Sequence, residues 1–359
     1  MMKMKKSAAL LLVLLLAYGL NASLLRADEP IKIIDVRGDG AAMGRAHGEA
    51  LGTQIRELDA KYLKAFFRDE KVRKQALLAS FIFRNQLSAE HQAEISALAD
   101  AAGIDAGELM LGNCFLDLSP MTACSTITLS AKASPDGIAR FGRNLDFPSF
   151  DIADKNSVVI VFHPKDRYAF AAVSWPGLIG VLSGMNEHGL TLANMEVSRR
   201  MGMPRGMPYT ILYRTVLERC KTVPEAIALL EKTERQTPNN LMLMDASGER
   251  AVVEITPEKI TVRKAPEDRP LISTNHHRGE DLDKQGLCRR YDYLHDESLT
   301  EFGHIDPTSI EKMLGKVAQG KMTLQSMVFE PSTRVMYLAT GTEATKHAYQ
   351  RIDLAEHFK

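Results

Sequence analysis

The chain has little of several things that would otherwise settle its class. Of its 359 residues only four are cysteine, and Cys114, Cys124, Cys220 and Cys288 are scattered. Four are too few for a disulfide scaffold. With no CxxC pair and no zinc-type spacing, a structural metal is not expected. Net charge is absent, because 45 basic side chains balance 45 acidic ones. No basic block or basic aromatic face appears, so nucleic acid is not an expected partner. Beyond Leu20 no apolar run approaches the ~20 residues that a membrane span needs. No P-loop lysine follows Gly38, Gly44 and Gly48, whose spacing suits close helix packing better than phosphate binding. Internal repeats and low-complexity segments are lacking too.

What is present begins at the N-terminus. Met1 to Lys6 carry three lysines, Leu10 to Leu16 is an unbroken apolar run, and Asn21, Ala22 and Ser23 are small or polar. A basic, then apolar, then small-residue order predicts a secretory signal within residues 1–27, cleaved after Ala22 or Ala27, with an uncleaved anchor as the alternative. The mature protein is then expected in the periplasm or outside the cell, without a stable membrane span. Roughly 330 residues remain, enough for one large domain or two small ones.

The remainder has two textures. From Ala41 to about Gly112, Ala, Leu, Glu, Lys and Gln dominate, and Leu63, Phe66 and Phe67 lie at helical spacing. Ser88 to Ala102 reads as a further helix with a cap near Ser88. From Cys124 onward come short runs rich in β-branched and aromatic residues, "CSTITLS", "IARFGRN", "SVVIVF", "YAFAAVSW" and "LTLANMEV". Turns at Ser134–Gly137 and Asn186–Gly189 separate them, which predicts an antiparallel meander. Helices are expected at Pro208–Cys220, Val223–Lys232, Arg290–Glu301 and Pro307–Val317. "LQSMVFEP" and "RVMYLATG" predict a final strand pair. The order gives an α+β protein with helix-covered sheets.

The change of texture falls at Cys124. That cysteine could be a small buried hydrophobe, half of a disulfide with Cys114, or a nucleophile. If the bond before it were cut, Cys124 would carry a free α-amine beside its thiol. An α-amine titrates near pH 8, far below a lysine. It could therefore serve as general base to its own side chain. Downstream, "FGRNLDF" places Arg143 and Asp146 three apart. A guanidinium near the thiol would favour thiolate, and a carboxylate could orient the amine. The same two residues could equally be a surface pair of little energetic consequence.

With "GRNLDF" and "WPGLIGVLSGMNEHGLTLANMEV" (Trp175–Val197) behind it, Cys124 resembles the nucleophile of the cysteine N-terminal nucleophile (Ntn) hydrolases. This group includes isopenicillin N acyltransferase, acid ceramidase, N-acylethanolamine acid amidase, the bile salt hydrolases and the penicillin V acylases. The pattern is most similar to the acyltransferase-like branch. "VRGDGAAMGRAHGEALGTQI" (Val36–Ile55) resembles its N-terminal glycine-spaced segment. "LISTNHH" (Leu271–His277) resembles its Thr-Asn-His stretch, and "TLQSMVFEPSTRVMYLATG" (Thr323–Gly341) its C-terminal strand pair.

The resemblance implies an αββα sandwich of two stacked, mainly antiparallel sheets flanked by helices. It implies self-cleavage before Cys124, dividing a mainly helical fragment, residues 28–123, from a catalytic fragment, residues 124–359. The first fragment would remain bound as a subunit. The implied site is Cys124 as nucleophile, Arg143 and Asp146 beside it, Asn194 and Asn275 as asparagines of the oxyanion hole, and Arg290, with Arg289 next to it. Fixed amide donors of that kind are worth about 3–4 kcal/mol each to an oxyanion. Ala123 stands where the penicillin-type acyltransferase has glycine. The implied reaction is hydrolysis of a small N-acyl amide through a thioester, with acyl transfer as the alternative. No cofactor or metal is implied. A secreted binding protein with Cys124 in a disulfide is the reading from a different class.

Overall fold

The computed structural model describes residues 30–118, 123–197, 205–279 and 287–359. The expected signal segment lies outside the described residues. Strand β1 (Ile33–Gly38) leads into helix α1 (Gly40–Glu57), whose N-terminus Asp39 caps by accepting from the Ala42 N–H. A π-helical turn, Leu58–Leu63, prolongs α1. Helices α2 (Glu70–Arg84), α3 (Ala89–Ala102) and α4 (Ala106–Leu118) follow. Ser88 caps α3 as expected, and Gly103 ends it at φ +70°, where a side chain would be strained.

Next come β2 (Ser125–Leu129), β3 (Arg140–Asp146), β4 (Val158–Pro164), β5 (Phe170–Ser174), β6 (Ser183–Asn186) and β7 (Thr191–Glu196). Helices α5 (Tyr209–Arg219) and α6 (Val223–Lys232) separate these from β8 (Asn239–Met244), β9 (Arg250–Ile255), β10 (Ile260–Arg263) and β11 (Leu271–Ser273). The chain closes with α7 (Arg289–Thr300), α8 (Pro307–Val317), β12 (Thr323–Glu330), β13 (Val335–Thr340) and β14 (Gln350–Asp353).

The strands form an eight-stranded sheet, β1-β4-β5-β6-β7-β8-β9-β10, and a six-stranded sheet, β11-β2-β3-β12-β13-β14. Among the described strands every pairing is antiparallel except β1 with β4. Between the sheets and under α1 to α6 lies the main core, which includes Phe141, Leu145, Met195, Leu241 and Met327. A second cluster, with Ile127, Ile272, Leu294, Ile310 and Leu314, fills the gap between the six-stranded sheet and α7 and α8. The layers are therefore helix, sheet, sheet, helix, as expected. Residues Ile31–Lys359 gather into one compact unit.

Two details differ from the sequence reading. The expected meander is split: β2 and β3 belong to the six-stranded sheet, while β4 to β7 run through the other. Local alternation cannot reveal which sheet a strand joins, because both sheets are covered on both faces. The eight-stranded sheet also takes β1 from the segment before Cys124, in a register that pairs Ile33 with Val159 across a long stretch of chain. Of the spaced glycines, Gly44 and Gly48 lie on α1 against α3 as anticipated, whereas Gly38 is the last residue of β1, at φ +115°. A Cβ on Gly40 or Gly44 would come within 2.3 Å of the carbonyl oxygen of Glu90 or Glu94, so only glycine allows α1 to lie this close to α3.

Strand β3 is the anomaly that marks the site. All seven of its residues are buried, yet the sequence is Arg-Phe-Gly-Arg-Asn-Leu-Asp. A strand covered on both faces ordinarily reads as apolar, and each buried polar group must find a partner. Arg140 pairs with Glu330 and Asp136. Asn144 donates to the Leu314 carbonyl at 2.8 Å and accepts from the Ser326 hydroxyl at 2.6 Å. Arg143 and Asp146 are turned to a different use.

Candidate active site

Cys124 immediately precedes β2 and is 1% exposed. The Ala123 N–H, hydrogen-bonded to the Asp146 carbonyl at 3.2 Å, continues the β2–β3 ladder up to this point. Every backbone group of Cys124 is engaged. Its N–H donates to Asn275 Oδ1 at 2.7 Å, and its carbonyl accepts from Arg290 Nη1 at 2.6 Å. Arg290 Nη2 also donates to Asn275 Oδ1, at 3.1 Å, while Asn275 Nδ2 donates to the Glu196 carbonyl at 2.8 Å. Two donors thus meet the amide oxygen and a carbonyl meets the amide nitrogen, so both ends are satisfied. Asn240 fixes the loop from behind, donating to the carbonyls of Thr274 and His276, both at 2.8 Å.

Arg143 and Asp146 approach from opposite faces of β3, as an odd separation on a strand requires. Arg143 reaches toward the eight-stranded sheet, where its Nε donates to Ser183 Oγ at 3.1 Å. Its two terminal nitrogens are buried and make no hydrogen bond. Asp146 turns toward α7. Its Oδ1 accepts from the Thr323 hydroxyl at 2.5 Å, and its Oδ2 lies 3.8 Å from Arg290 Nη1. The two side chains share Cys124 because it sits at the end of the adjoining strand.

Burial pushes the Cys124 thiol above its ordinary range. Arg143 opposes that rise, Asp146 adds to it, and a hydrogen bond from the Asp146 backbone together with Arg290 pulls it back. The guanidinium does favour thiolate, but desolvation outweighs it, and the thiol of the uncut chain is neutral at pH 7. Burial likewise raises the Asp146 carboxyl to about 6, against the hydrogen bond from Thr323 and the charges of Arg290 and Arg143.

Beside Arg143 is a cavity of about 90 Å³, lined by Arg143, Asn194 and a mainly apolar wall that does not include Cys124 or Asp146. Ile55, Tyr62 and Phe115 of that wall precede Cys124 in the chain, while Leu145, Trp175 and Leu182 follow it. Segments from both sides of Cys124 are therefore needed to shape it. Asn194 Nδ2 makes a 3.3 Å bond to Asn239 Oδ1, which leaves one amide hydrogen uncommitted, and Asn194 Oδ1 is buried without a hydrogen bond. A mostly apolar cavity with a few convergent polar groups is what a small-molecule site looks like.

The structure thus gathers Cys124, Arg143, Asp146, Asn275 and Arg290 directly, and brings Asn194 to the same cavity as Arg143. Of the two neighbouring arginines, Arg290 makes the contacts and Arg289 is exposed. Asn275 points its oxygen at the Cys124 nitrogen, and one of its amide hydrogens goes to the Glu196 carbonyl. All four cysteines are free, so the bridge between Cys114 and Cys124 is not formed. Ser183 and Thr323, which hold Arg143 and Asp146, were not singled out from the sequence. Thr323 opens the "TLQSMVFEP" stretch, but nothing local distinguishes it from an ordinary strand threonine.

A helix-sheet-sheet-helix sandwich with a cysteine at the head of a central strand defines an Ntn-hydrolase fold. A variant of conjugated bile acid hydrolase from Clostridium perfringens superposes with a TM-score of 0.50 at 18% identity, over 65% of this chain and 93% of that one. The protein belongs to the acyl-coenzyme A:6-aminopenicillanic acid acyl-transferase family, whose match spans residues 133–313, just over half of its 359 residues. That match takes in Arg143, Asp146, Asn194, Asn275 and Arg290, and starts beyond Cys124. Protein dcd1B from Dictyostelium discoideum is 25% identical over 57% of this chain and 46% of its own length. Acid ceramidase from Rattus norvegicus is 28% identical over 45% of this chain and 46% of its own. The chain spans about half the length of these curated relatives.

Proposed function

We propose that this protein is a self-processing cysteine amidohydrolase that cleaves a small N-acyl amide through a thioester on Cys124. The observation that carries the reading is the engagement of Cys124 on every side. A packing cysteine needs no acceptor fixed on its nitrogen, no guanidinium on its carbonyl, and no buried arginine and aspartate acting on its thiol from opposite faces of the next strand.

Processing would begin with attack of Cys124 Sγ on the Ala123 carbonyl carbon. The acyl group moves from nitrogen to sulfur, and the nitrogen gains a proton. Water then hydrolyses the thioester, releasing an Ala123 carboxylate and leaving a free thiol and α-amine. Asn275 Oδ1, already 2.7 Å from that nitrogen, would orient the amine. Asp146 would balance its charge. In turnover the α-amine takes the thiol proton as Sγ attacks the substrate carbonyl. The uncommitted Asn194 hydrogen and the unpaired edge of Arg143 are the available donors to the oxyanion. The amine leaves with a proton, and water releases the acid. The acyl group would occupy the apolar cavity.

The family's description favours a second reading, in which an amine rather than water takes the acyl group. Incubation with a panel of N-acyl amides, with and without a competing amine, distinguishes the two by product. Free acid in both arms supports hydrolysis, new amide supports transfer, and no turnover of any acyl amide by correctly processed protein sinks both. Export rests on the basic-apolar-small order of residues 1–27. Recovery of protein from the cytosol with Met1 still attached would refute it.

A further inference from the structure

Asp146 can serve the amine of Cys124 only if it is ionised and aimed, although burial disfavours its charge. The chain solves this with an irregularity in β12. Thr323 is registered opposite Asp146 and Gln325 opposite Leu145, so Leu324 is an extra residue in the ladder. A bulge of this kind re-aims a side chain and commonly lies beside a functional site. The Leu324 carbonyl, displaced from β3, accepts from the Gly341 N–H at 3.0 Å. Thr323 is fully buried, and its hydroxyl faces Asp146 Oδ1 at 2.5 Å. The Gln319 N–H donates to the same hydroxyl oxygen at 2.8 Å. Because that oxygen is already accepting, its single proton is directed to the carboxylate. A second backbone bond anchors the corner, from the Phe147 N–H to the Met322 carbonyl at 2.7 Å.

We infer that Thr323, set by the bulge and oriented by the Gln319 amide, is a positioning residue that keeps Asp146 ionised with Oδ2 turned to the Cys124 amine. The inference rests on the amidohydrolase reading given above. Oδ1 is committed to Thr323 while Oδ2 makes no hydrogen bond, so the second oxygen is the one left for the amine. The charged and titratable groups about Asp146 are Arg143 on its own strand, Arg290 from α7 and the Cys124 thiol beside β2. Thr323 is the neutral donor to the carboxylate, itself fixed by the Gln319 backbone. A hydroxyl bound to a carboxylate favours the charged form, and its loss lets the carboxyl hold its proton to higher pH.

The test compares kcat/KM against pH for wild type, Thr323→Val and Thr323→Ser, each expressed as the full chain and checked for a Cys124 N-terminus. The acid limb of Thr323→Val is expected about one pH unit above wild type, the size of one hydrogen bond to a charged group. Thr323→Ser, which keeps the hydroxyl, should coincide with wild type. A merely structural threonine would alter stability or overall rate without moving the limb. Superimposed limbs for wild type and Thr323→Val, or a Thr323→Ser limb shifted as far as that of valine, overturn the inference. If Thr323→Val stays uncut, the Asp146 carboxyl is titrated by carbon NMR in the uncut Cys124→Ala chain with and without the valine. The same upward shift supports the role, and no shift overturns it. A processed wild type without amidase activity would sink the amidohydrolase reading, while the carboxyl titration still decides Thr323.

Discussion

Replacing Glu94 by leucine should weaken the fold far more than an ordinary surface change, because it breaks a charge network shared across the proposed cut. Glu94 lies on α3, before Cys124, and Arg214 lies on α5, after it. Arg214 Nη1 and Nη2 each lie 2.8 Å from a Glu94 oxygen, and its Nε lies 2.7 Å from Glu218 Oε1. All three side chains are fully buried. Burial alone would raise the Glu218 carboxyl, but Arg214, aided by His91, holds it well below the usual carboxylate range. Removing one partner from a buried pair costs about 3–5 kcal/mol, since the other charge stays desolvated. Glu218 still faces Arg214 here, so about 3 kcal/mol is expected, roughly two orders of magnitude in the folding equilibrium. The assay is chemical denaturation at pH 7 of the uncut Cys124→Ala chain with and without Glu94→Leu. In the processed wild-type background the N-terminal fragment should also separate at lower denaturant. A loss under about 1 kcal/mol, the size of an exposed pair, would refute the claim that this network holds the two segments together.

Asp146→Asn should abolish turnover yet stabilise the uncut chain at pH 7, because the carboxyl is raised from 3.8 to about 6 by burial. A raised acid binds its proton more tightly when folded, so its ionisation costs stability as pH rises from 3.8 toward 6. The asparagine chain should therefore be about 1–3 kcal/mol more stable above pH 6 and show no such advantage near pH 4, read from denaturation midpoints at both pH values. Equal gains at both would mean that charge is not the cause. Arg143→Met should slow iodoacetamide alkylation of Cys124 by about tenfold at pH 7, because the thiolate loses a nearby cation. An unchanged rate would remove Arg143 from the sulfur's electrostatics.

The layers of the fold were legible because helical and strand periodicities occupy distinct stretches, and Ser88 and Gly103 punctuate α3 where capping chemistry says they should. Sheet membership was not legible. β3 and β4 follow one another in the chain, and only long-range pairing assigns them to different sheets. The six candidate residues could be named from motif likeness, but which atoms they turn to one another needed coordinates. That Asn275 turns its oxygen to the Cys124 nitrogen is a matter of side-chain orientation, which composition does not carry. Arg289 and Arg290 are indistinguishable in sequence, and helix phase turns only the second toward Cys124. Thr323 was hidden for a similar reason, since a bulge of one residue leaves no local signature.

The central claim is that Cys124 becomes an N-terminal nucleophile. The most direct measurement is the intact mass of the purified protein under denaturing conditions, repeated after brief exposure to an N-acyl amide. The account predicts two chains, the larger beginning Cys-Ser-Thr-Ile, and an added acyl mass on that chain that hydroxylamine removes. It also predicts a single, unacylated chain for Cys124→Ala. A wild-type protein that stays in one piece while hydrolysing the amide, or a two-chain protein acylated at a residue other than Cys124, would contradict it.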